Sequence, residues 1–508
     1  MRQLWYFVRR AAVSATEARR HRVDARISLI FCAFVSLWPI FFLLTGTPLA
    51  AQVRDLGPAV IMNGDFGDPS IVRDGDDFYM VHSTGGIPAF RFWHSKDLHH
   101  WQPIAAALER SYGPWAAELI KYKDLFYLYD YGGGANWVMT AKDPRGPWTA
   151  PVDLKLKGID PGHIATPEGK RYLYVSKGMA VELAEDGLSA LGPQRTVYSG
   201  WDYADDWVVE CLCLESPKLV FRDGYYYMVS AQGGTVGPST SHMAVVARAK
   251  SPLGPWTNSP FNPLIKTWSR SEAWWSKGHG MLIDDGHGQW FIVYHALENN
   301  ARRKGRQTLI EPIDWKDGWP VRRYPDGMKF RPQVIRNWEV RSDDFTGNRL
   351  NLQWQLHGMD SLEGTRVTDG KFYLTASPKD MRMLAVKVSD LEFETEIKFD
   401  VQGEVEAGLV LAHRSGYLGI GWKDGQIRNP TGSSYRYSDE IDCPDCRCLK
   451  YRLKDNEITA YYSADGVAWK KYPRSYDIDL FTGFGGLKIG IYALGTGNLG
   501  VDSFTYRR

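Results

Sequence analysis

Five short aromatic segments recur along this chain, "DDFYMVHS", "DLFYLYDY", "GKRYLYVS", "GYYYMVSA" and "GQWFIVYH", and they restrict the possible folds more than any other feature. Aligned, they put Tyr79, Tyr127, Tyr172, Tyr227 and Phe291 at one position. Each alternates apolar and polar residues with a period of two, follows a polar turn and is rich in aromatic side chains, as a half-buried β-strand is. A second element trails three of them: "HSKDLHHW", "TAKDPRGPW" and "RAKSPLGPW" close on Trp101, Trp148 and Trp256. Units spaced by about 45–65 residues suit four-stranded blades, and five of them predict a β-propeller rather than two unrelated sandwiches.

Counting back from the aligned aromatic gives a second column. Asp68 lies eleven residues before Tyr79, and Trp115, Asp160, Glu215 and His279 lie twelve before the other four aromatics. The innermost strands of a propeller surround its central channel, so residues at their entrances converge at one end. One such acid alone reads as a turn cap, because Asp-Pro is ordinary turn chemistry. Five coincident positions read as a pocket.

Three carboxylates in one pocket suit the cleavage of a glycosidic bond, which needs a protonated carboxyl for the leaving oxygen and an ionised one as base or nucleophile. Glu215 follows "CLCL" and precedes Ser-Pro, an apolar setting that penalises its charged form. Asp68, in "NGDFGDPS", has small polar neighbours and is expected to stay ionised. Asp160, in "GIDPGH", is expected to be a third charge that keeps Glu215 protonated by repulsion and orients it. Trp115 offers a flat face on which a sugar ring can stack. The chemistry requires no cofactor. Glu210 misses the column and reads as an edge or supporting residue; Cys211 and Cys213, on the Glu215 face of an extended segment, read as packing or as a paired neighbour.

At these residues the chain resembles glycoside hydrolase family 43, five-bladed propeller enzymes that act on β-xylosides and α-L-arabinofuranosides. "GDFGDPSIVRDGDDFYMVHST", "PWAAELIKYKDLFYLY", "GIDPGH", "LESPKLVFRDGYYYMVSAQGGT", "KGHGMLI" and "GRQTLIEPIDW" stand in the family's order. The resemblance implies Asp68 as general base, Asp160 as pKa modulator and Glu215 as general acid. It also implies inversion, with roughly 6.5–9.5 Å between the acid and base carboxyls. Arg306 of "GRQT" matches an arginine that contacts substrate hydroxyls, and His279 an axial histidine often near a water or a calcium ion. Two departures, "ATPEGK" in place of an acidic run and Ala117 where proline is frequent, bear on the third-blade loop and on substrate preference. Two rival readings are a propeller that only binds carbohydrate and a retaining fructan-active hydrolase with Glu210-Cys211 as its acid motif.

The remaining segments fill in the architecture, which is all-β. Residues 1–51 combine an arginine-bearing leader with the run "ISLIFCAFVSLWPIFFLLTGTPLAA", read as a secretory signal peptide or an uncleaved anchor. The protein is therefore expected to be exported, periplasmic or extracellular. Removing that segment takes away seven Arg, one Glu and one Asp and turns a formal charge of +2 into −3, which leaves no basic stripe for nucleic acid. The catalytic propeller is expected over residues 57–335. From 341 to 508, alternating strands such as "FETEIKFDV" and "LKIGIYAL" predict a β-sandwich similar to the concanavalin-like module of several family 43 enzymes, whose first role is read as packing. Asp343, Asp344 and Asp502 are candidates for a structural Ca²⁺, with surface aspartates the stronger reading. An odd number of cysteines after residue 51 leaves at least one thiol unpaired, and "CPDCRC" reads as a local disulfide in preference to a zinc site.

Overall fold

The computed structural model describes residues 57–83, 85–110, 112–324, 332–335, 341–432, 439–483 and 485–508. The expected signal or anchor segment lies outside them. Among the described residues, helix is confined to the 3-10 turns Asn299–Lys304 and Ile478–Leu480, and no helix is long and apolar enough to cross a membrane.

Five sheets form the blades of a propeller, antiparallel except where Ala59–Met62 pairs in parallel with Gln333–Val334. Blade one runs Ser70–Asp74, Asp77–Val81, Ala89–Ser95, Gln102–Leu108, each strand pairing with the next. Blades two, three and four begin at Glu118–Tyr122, Gly162–Ala165 and Glu215–Arg222 and repeat the order. The recurring aromatic segments are the second strands, and their central residues are buried on both faces: the neighbours Tyr227 and Met228 are each 1% exposed. The closing tryptophans explain the second repeat, because they fill the gaps between blades. Trp148 stacks on Phe92 of the preceding blade at 4.9 Å, Trp256 meets Tyr174 edge-on at 6.4 Å, and Trp101 joins the core that contains Phe291. Burying one such ring contributes roughly 1.5–3 kcal/mol.

Blade five closes the ring with strands from both ends of the domain. Trp274–Asp284, Trp290–Glu298 and Arg306–Lys316 follow one another, and the N-terminal strand Ala59–Met62 pairs with the third. This seam sets Asp68, which follows that N-terminal strand, beside Arg306.

The C-terminal module is a β-sandwich dominated by two long strands, Phe393–His413 and Lys488–Arg507, antiparallel along almost their whole length. The first half of Phe393–His413 pairs on its other edge with Cys448–Lys454 and the second half with Gly416–Lys423, so one strand serves two parts of the sheet. Trp354, Phe372, Phe399, Leu409 and Ile491 fill the core. The sandwich packs on blades one and five: Ile87 and Leu356 exchange backbone hydrogen bonds, Leu487 N–H donates to Arg303 O, and Lys387 Nζ donates to Asp65 O at 2.5 Å.

Disulfides join Cys211 to Cys213 and Cys443 to Cys446, and Cys448 is a buried thiol. The segment before Glu215 is not extended: Cys213 has φ +41°, so the strand alternation read from sequence does not apply there. Nor do the three calcium candidates converge. Asp343 accepts from Asn351 Nδ2 and Trp354 Nε1, Asp344 from Thr346, and Asp502 pairs with Lys371 at 2.7 Å.

Candidate active site

The ladder registers correct the residue count. Val72, Ile120, Ile164, Val220 and Ile283 each face the aligned aromatic of the neighbouring strand. Four residues before them stand Asp68, Ala116, Asp160, Ser216 and His279. Trp115 and Glu215 therefore lie one residue off, because the hairpins of blades two and four have two-residue turns and those of blades three and five have five-residue ones. Backbone geometry marks the true column: φ is +59° at Asp68, +56° at Asp160, +51° at Ser216 and +52° at His279. A non-glycine residue held there stores of order 1–3 kcal/mol, a strain that clusters at functional sites. In blade four a register shift between Glu215 and Lys218 compensates for the offset and leaves Glu215 with the others.

Five of the six residues singled out from sequence meet. Arg306 Nη1 donates to both oxygens of Asp68 at 2.6 Å, and Ser83 Oγ donates to Oδ2 at 2.5 Å. Gly67 makes this possible, since a Cβ there would stand 2.4 Å from the guanidinium carbon. His279 Nδ1 lies 3.0 Å from Asp68 Oδ1, and its Nε2, without a hydrogen-bond partner among the described residues, lies 4.0 Å from Asp160 Oδ2. Ligating atoms of Asp160, Glu215 and His279 all fall within 4.8 Å of one another. Trp115 differs. The residue is 52% exposed and its ring meets Tyr131 edge-on at 5.7 Å, while its backbone N–H donates to the buried carboxyl of Asp130.

Electrostatics divide the cluster. Burial alone would raise Asp68, but Arg306, His279 and His295 outweigh it and hold the carboxyl well below the usual range. Asp160 goes the other way, pushed well above that range by burial, then by Glu215 and Asp68. Glu215 is raised to about 7, first by burial and then by the charge of Asp68. The sequence expectation is thus altered in one respect: the charge facing Glu215 is that of Asp68, and Asp160 and Glu215 are two raised carboxyls that titrate together. Burial is the main cause that lowers the proton affinity of His279 and His295, against the pull of Asp68. His295 Nδ1 lies 3.1 Å from both the backbone nitrogen and Oδ1 of Asp68, and its Nε2 lies 2.6 Å from Thr235 Oγ1.

Sequence reasoning missed the layer directly beneath. Two residues past the column in each blade stand Ser70, Glu118, Gly162, Lys218 and Met281. Lys218 Nζ donates to Glu118 Oε2 at 2.6 Å and to the carbonyls of Ala117 and Pro161 at 3.0 and 3.1 Å, and Ser70 Oγ donates to the same Glu118 oxygen. Both charged side chains are under a tenth exposed. Gly162 is required by the closeness of the blades, for a Cβ would come within 1.5 Å of Pro217 O. Beyond this layer the channel holds a cavity of about 230 Å³ lined by Arg73, Ile120, Tyr122, Val220 and Ile283 and by none of the upper cluster.

Among the described residues the groups that could hold a metal are this cluster's own: Asp68, His279 and His295, and Asp160, Glu215 and His279. The guanidinium already lies on the oxygens of Asp68, and the second set offers three donors, one of them nitrogen, against the six to eight oxygens that Ca²⁺ takes. The fit to a resident calcium ion is poor.

Glu210 points elsewhere. Its carboxylate accepts from Gly234 N–H at 2.8 Å and from Ser241 Oγ, pinning the loop that carries Thr235.

Two family models match this architecture, glycosyl hydrolases family 43 over residues 58–320 and the β-xylosidase C-terminal concanavalin A-like domain over 342–507. The chain belongs to glycosyl hydrolase family 43. Among curated family relatives, a xylosidase/arabinosidase from Butyrivibrio fibrisolvens is 32% identical over 297 residues, 51% of this chain and 55% of the relative. A non-reducing end α-L-arabinofuranosidase from Bacteroides ovatus is 32% identical over 332 residues, 58% of this chain and 60% of the relative. The chain thus aligns with little more than half the length of these two. A solved family 43 structure, xylan β-1,4-xylosidase from Bacillus halodurans, superposes with a TM-score of 0.75 at 25% identity, covering 88% of this chain and 99% of that one.

Proposed function

We propose that this protein is an inverting glycosidase that releases xylose or arabinose from hemicellulose oligosaccharides or polysaccharides. The observation that carries the reading is the division of one buried cluster into a carboxylate held ionised, Asp68, and a carboxyl raised to about 7, Glu215. Asp68 takes the proton of the attacking water as general base, and Glu215 gives its proton to the leaving oxygen as general acid. Asp160, coupled to Glu215, holds the acid in place and tunes its proton affinity. Arg306, which holds Asp68 ionised, is in this reading also the group that contacts a substrate hydroxyl. His279 fixes Asp68 through Nδ1, and Trp115 offers its exposed ring to a sugar. The named activities of the relatives support pentosides as the substrate class.

The same reading needs no cofactor and has the protein exported by its N-terminal segment. Following the anomer of the first-formed pentose by NMR tests the mechanism: net retention sinks it. Binding of xylo- or arabino-oligosaccharides with no turnover would instead favour a carbohydrate-binding propeller.

A further inference from the structure

The sixteen residues before Glu215 do more than lead into its strand. They carry Trp201, Tyr203 and Trp207 interleaved with exposed Asp202, Asp205 and Asp206. Trp207 meets Trp268, from the connection into blade five, edge to face at 5.2 Å and 86°, and Tyr203 lies nearly parallel to Trp207 at 9°. Trp268 is 46% exposed and Val208 62%. Two perpendicular indoles make a corner. Lys266 Nζ sits 4.7 Å from the Trp207 ring centroid and 5.9 Å from that of Trp268, packing against both rings at this corner.

This corner is on the acid-cluster face. Trp201 N–H donates to the side-chain oxygen of Gln232, whose nitrogen donates back to Trp201 O, and Gln232 adjoins Ala231, the ladder partner of Glu215. On the other side the loop 233–241 connects the two places: Thr235 contacts His295, Glu210 holds Gly234 and Ser241, and Lys266 Nζ donates to Thr240 O.

We infer that Trp207, Trp268 and Tyr203 form a distal subsite that stacks sugar rings of a polymeric pentoside whose scissile bond lies at the acid cluster, with Asp202, Asp205 and Asp206 accepting from its hydroxyls. This rests on the hydrolytic reading above and extends it to the length of the substrate. Trp268 is exposed and Trp207 and Tyr203 are half-buried beside it, a partly exposed aromatic cluster that marks a binding surface of some kind. Protein interfaces deplete aspartate at their centres, whereas sugars need stacking faces and anionic acceptors side by side, which favours a glycan over a second protein.

The test is calorimetric titration of the full chain carrying Glu215→Gln, with and without Trp268→Ala, using xylohexaose, arabinohexaose and the matching disaccharides. The expected result is a tenfold fall in the hexasaccharide-to-disaccharide affinity ratio for at least one sugar series, about 1.4 kcal/mol. Trp207→Ala should act in the same direction. An unchanged ratio in both variants overturns the subsite. So does a change of oligomeric state on gel filtration caused by Trp268→Ala, which would mean that a second copy covers the corner. Hexasaccharide binding that depends on Trp268, in a wild-type protein that releases no pentose, would support the subsite while refuting hydrolysis.

Discussion

Asp68 and Asp160 occupy equivalent places in blades one and three. Each precedes a proline, each has a left-handed backbone and each is almost fully buried, at 6% and 4% exposure. Yet one carboxyl is held well below the ordinary range and the other well above it. Burial penalises both alike, so the difference lies in the neighbours. Blade one faces the ring seam, where Arg306 lies 2.6 Å away; blade three faces blade four and the carboxyl of Glu215. The propeller repeats the backbone and varies the company, and the proton affinities of the two carboxyls divide along that line.

The comparison can be broken most severely on the charged side. Asp68→Ala should lower kcat/KM by about 10⁴-fold on every substrate, the upper range for a general base, as measured with both aryl pentosides and oligosaccharides. On the raised side, Glu215→Ala should cost about 10²–10³-fold on an oligosaccharide but far less on an aryl pentoside with a good leaving group, which needs little protonation. Equal losses would remove Glu215 from the role of acid.

Arg306→Met sharpens the contrast by making the surroundings of Asp68 more like those of Asp160. Wild-type activity should fall as pH drops through the depressed pKa of Asp68, because the base becomes protonated, and fall as pH rises through about 7, because Glu215 loses its proton. Without the guanidinium the acidic limb should move to higher pH, together with a loss of activity on the order of tenfold or more, read from pH profiles of kcat/KM. An unmoved acidic limb would mean that Arg306 does not set the ionisation of Asp68.

The smallest expected kinetic effect, with a large effect on stability, concerns the layer below. Lys218→Met strands the charge of Glu118 and should destabilise the fold by about 3–5 kcal/mol in denaturant titrations, with Glu118→Gln in the same chain recovering part of the loss.

Much of this was legible in the sequence, for physical reasons that differ by residue. The aromatic segments recur because each supplies the second strand of a blade, so the propeller could be read from their repetition, although those strands are buried on both faces and not half-buried. Asp68, Asp160 and His279 fell on one column because the column is a backbone position. Glu215 and Trp115 were off by one because turn length, which hydrophobic period does not encode, shifts any count made from the hairpin's far side. Lys218 and Glu118 sit in apolar strands and look like exceptions to a pattern until their partners, 100 residues apart, are seen together. Lys387 of the sandwich, whose Nζ reaches Asp65 O three residues from Asp68, belongs to no repeat at all.

The seam of blade five has a consequence for when the site can exist. Asp68 and Arg306 are separated by 238 positions, and a nascent chain makes the first long before the second. Until the strand Arg306–Lys316 has emerged and laced onto Ala59–Met62, the carboxylate has no guanidinium, Phe66 N–H has no Arg306 carbonyl at 2.7 Å, and Asp65 has no Arg306 N–H to accept. The assembled site is in effect a receipt for a finished ring. A fragment ending before residue 306, or one clipped after Met62, lacks the closure on which the cluster depends.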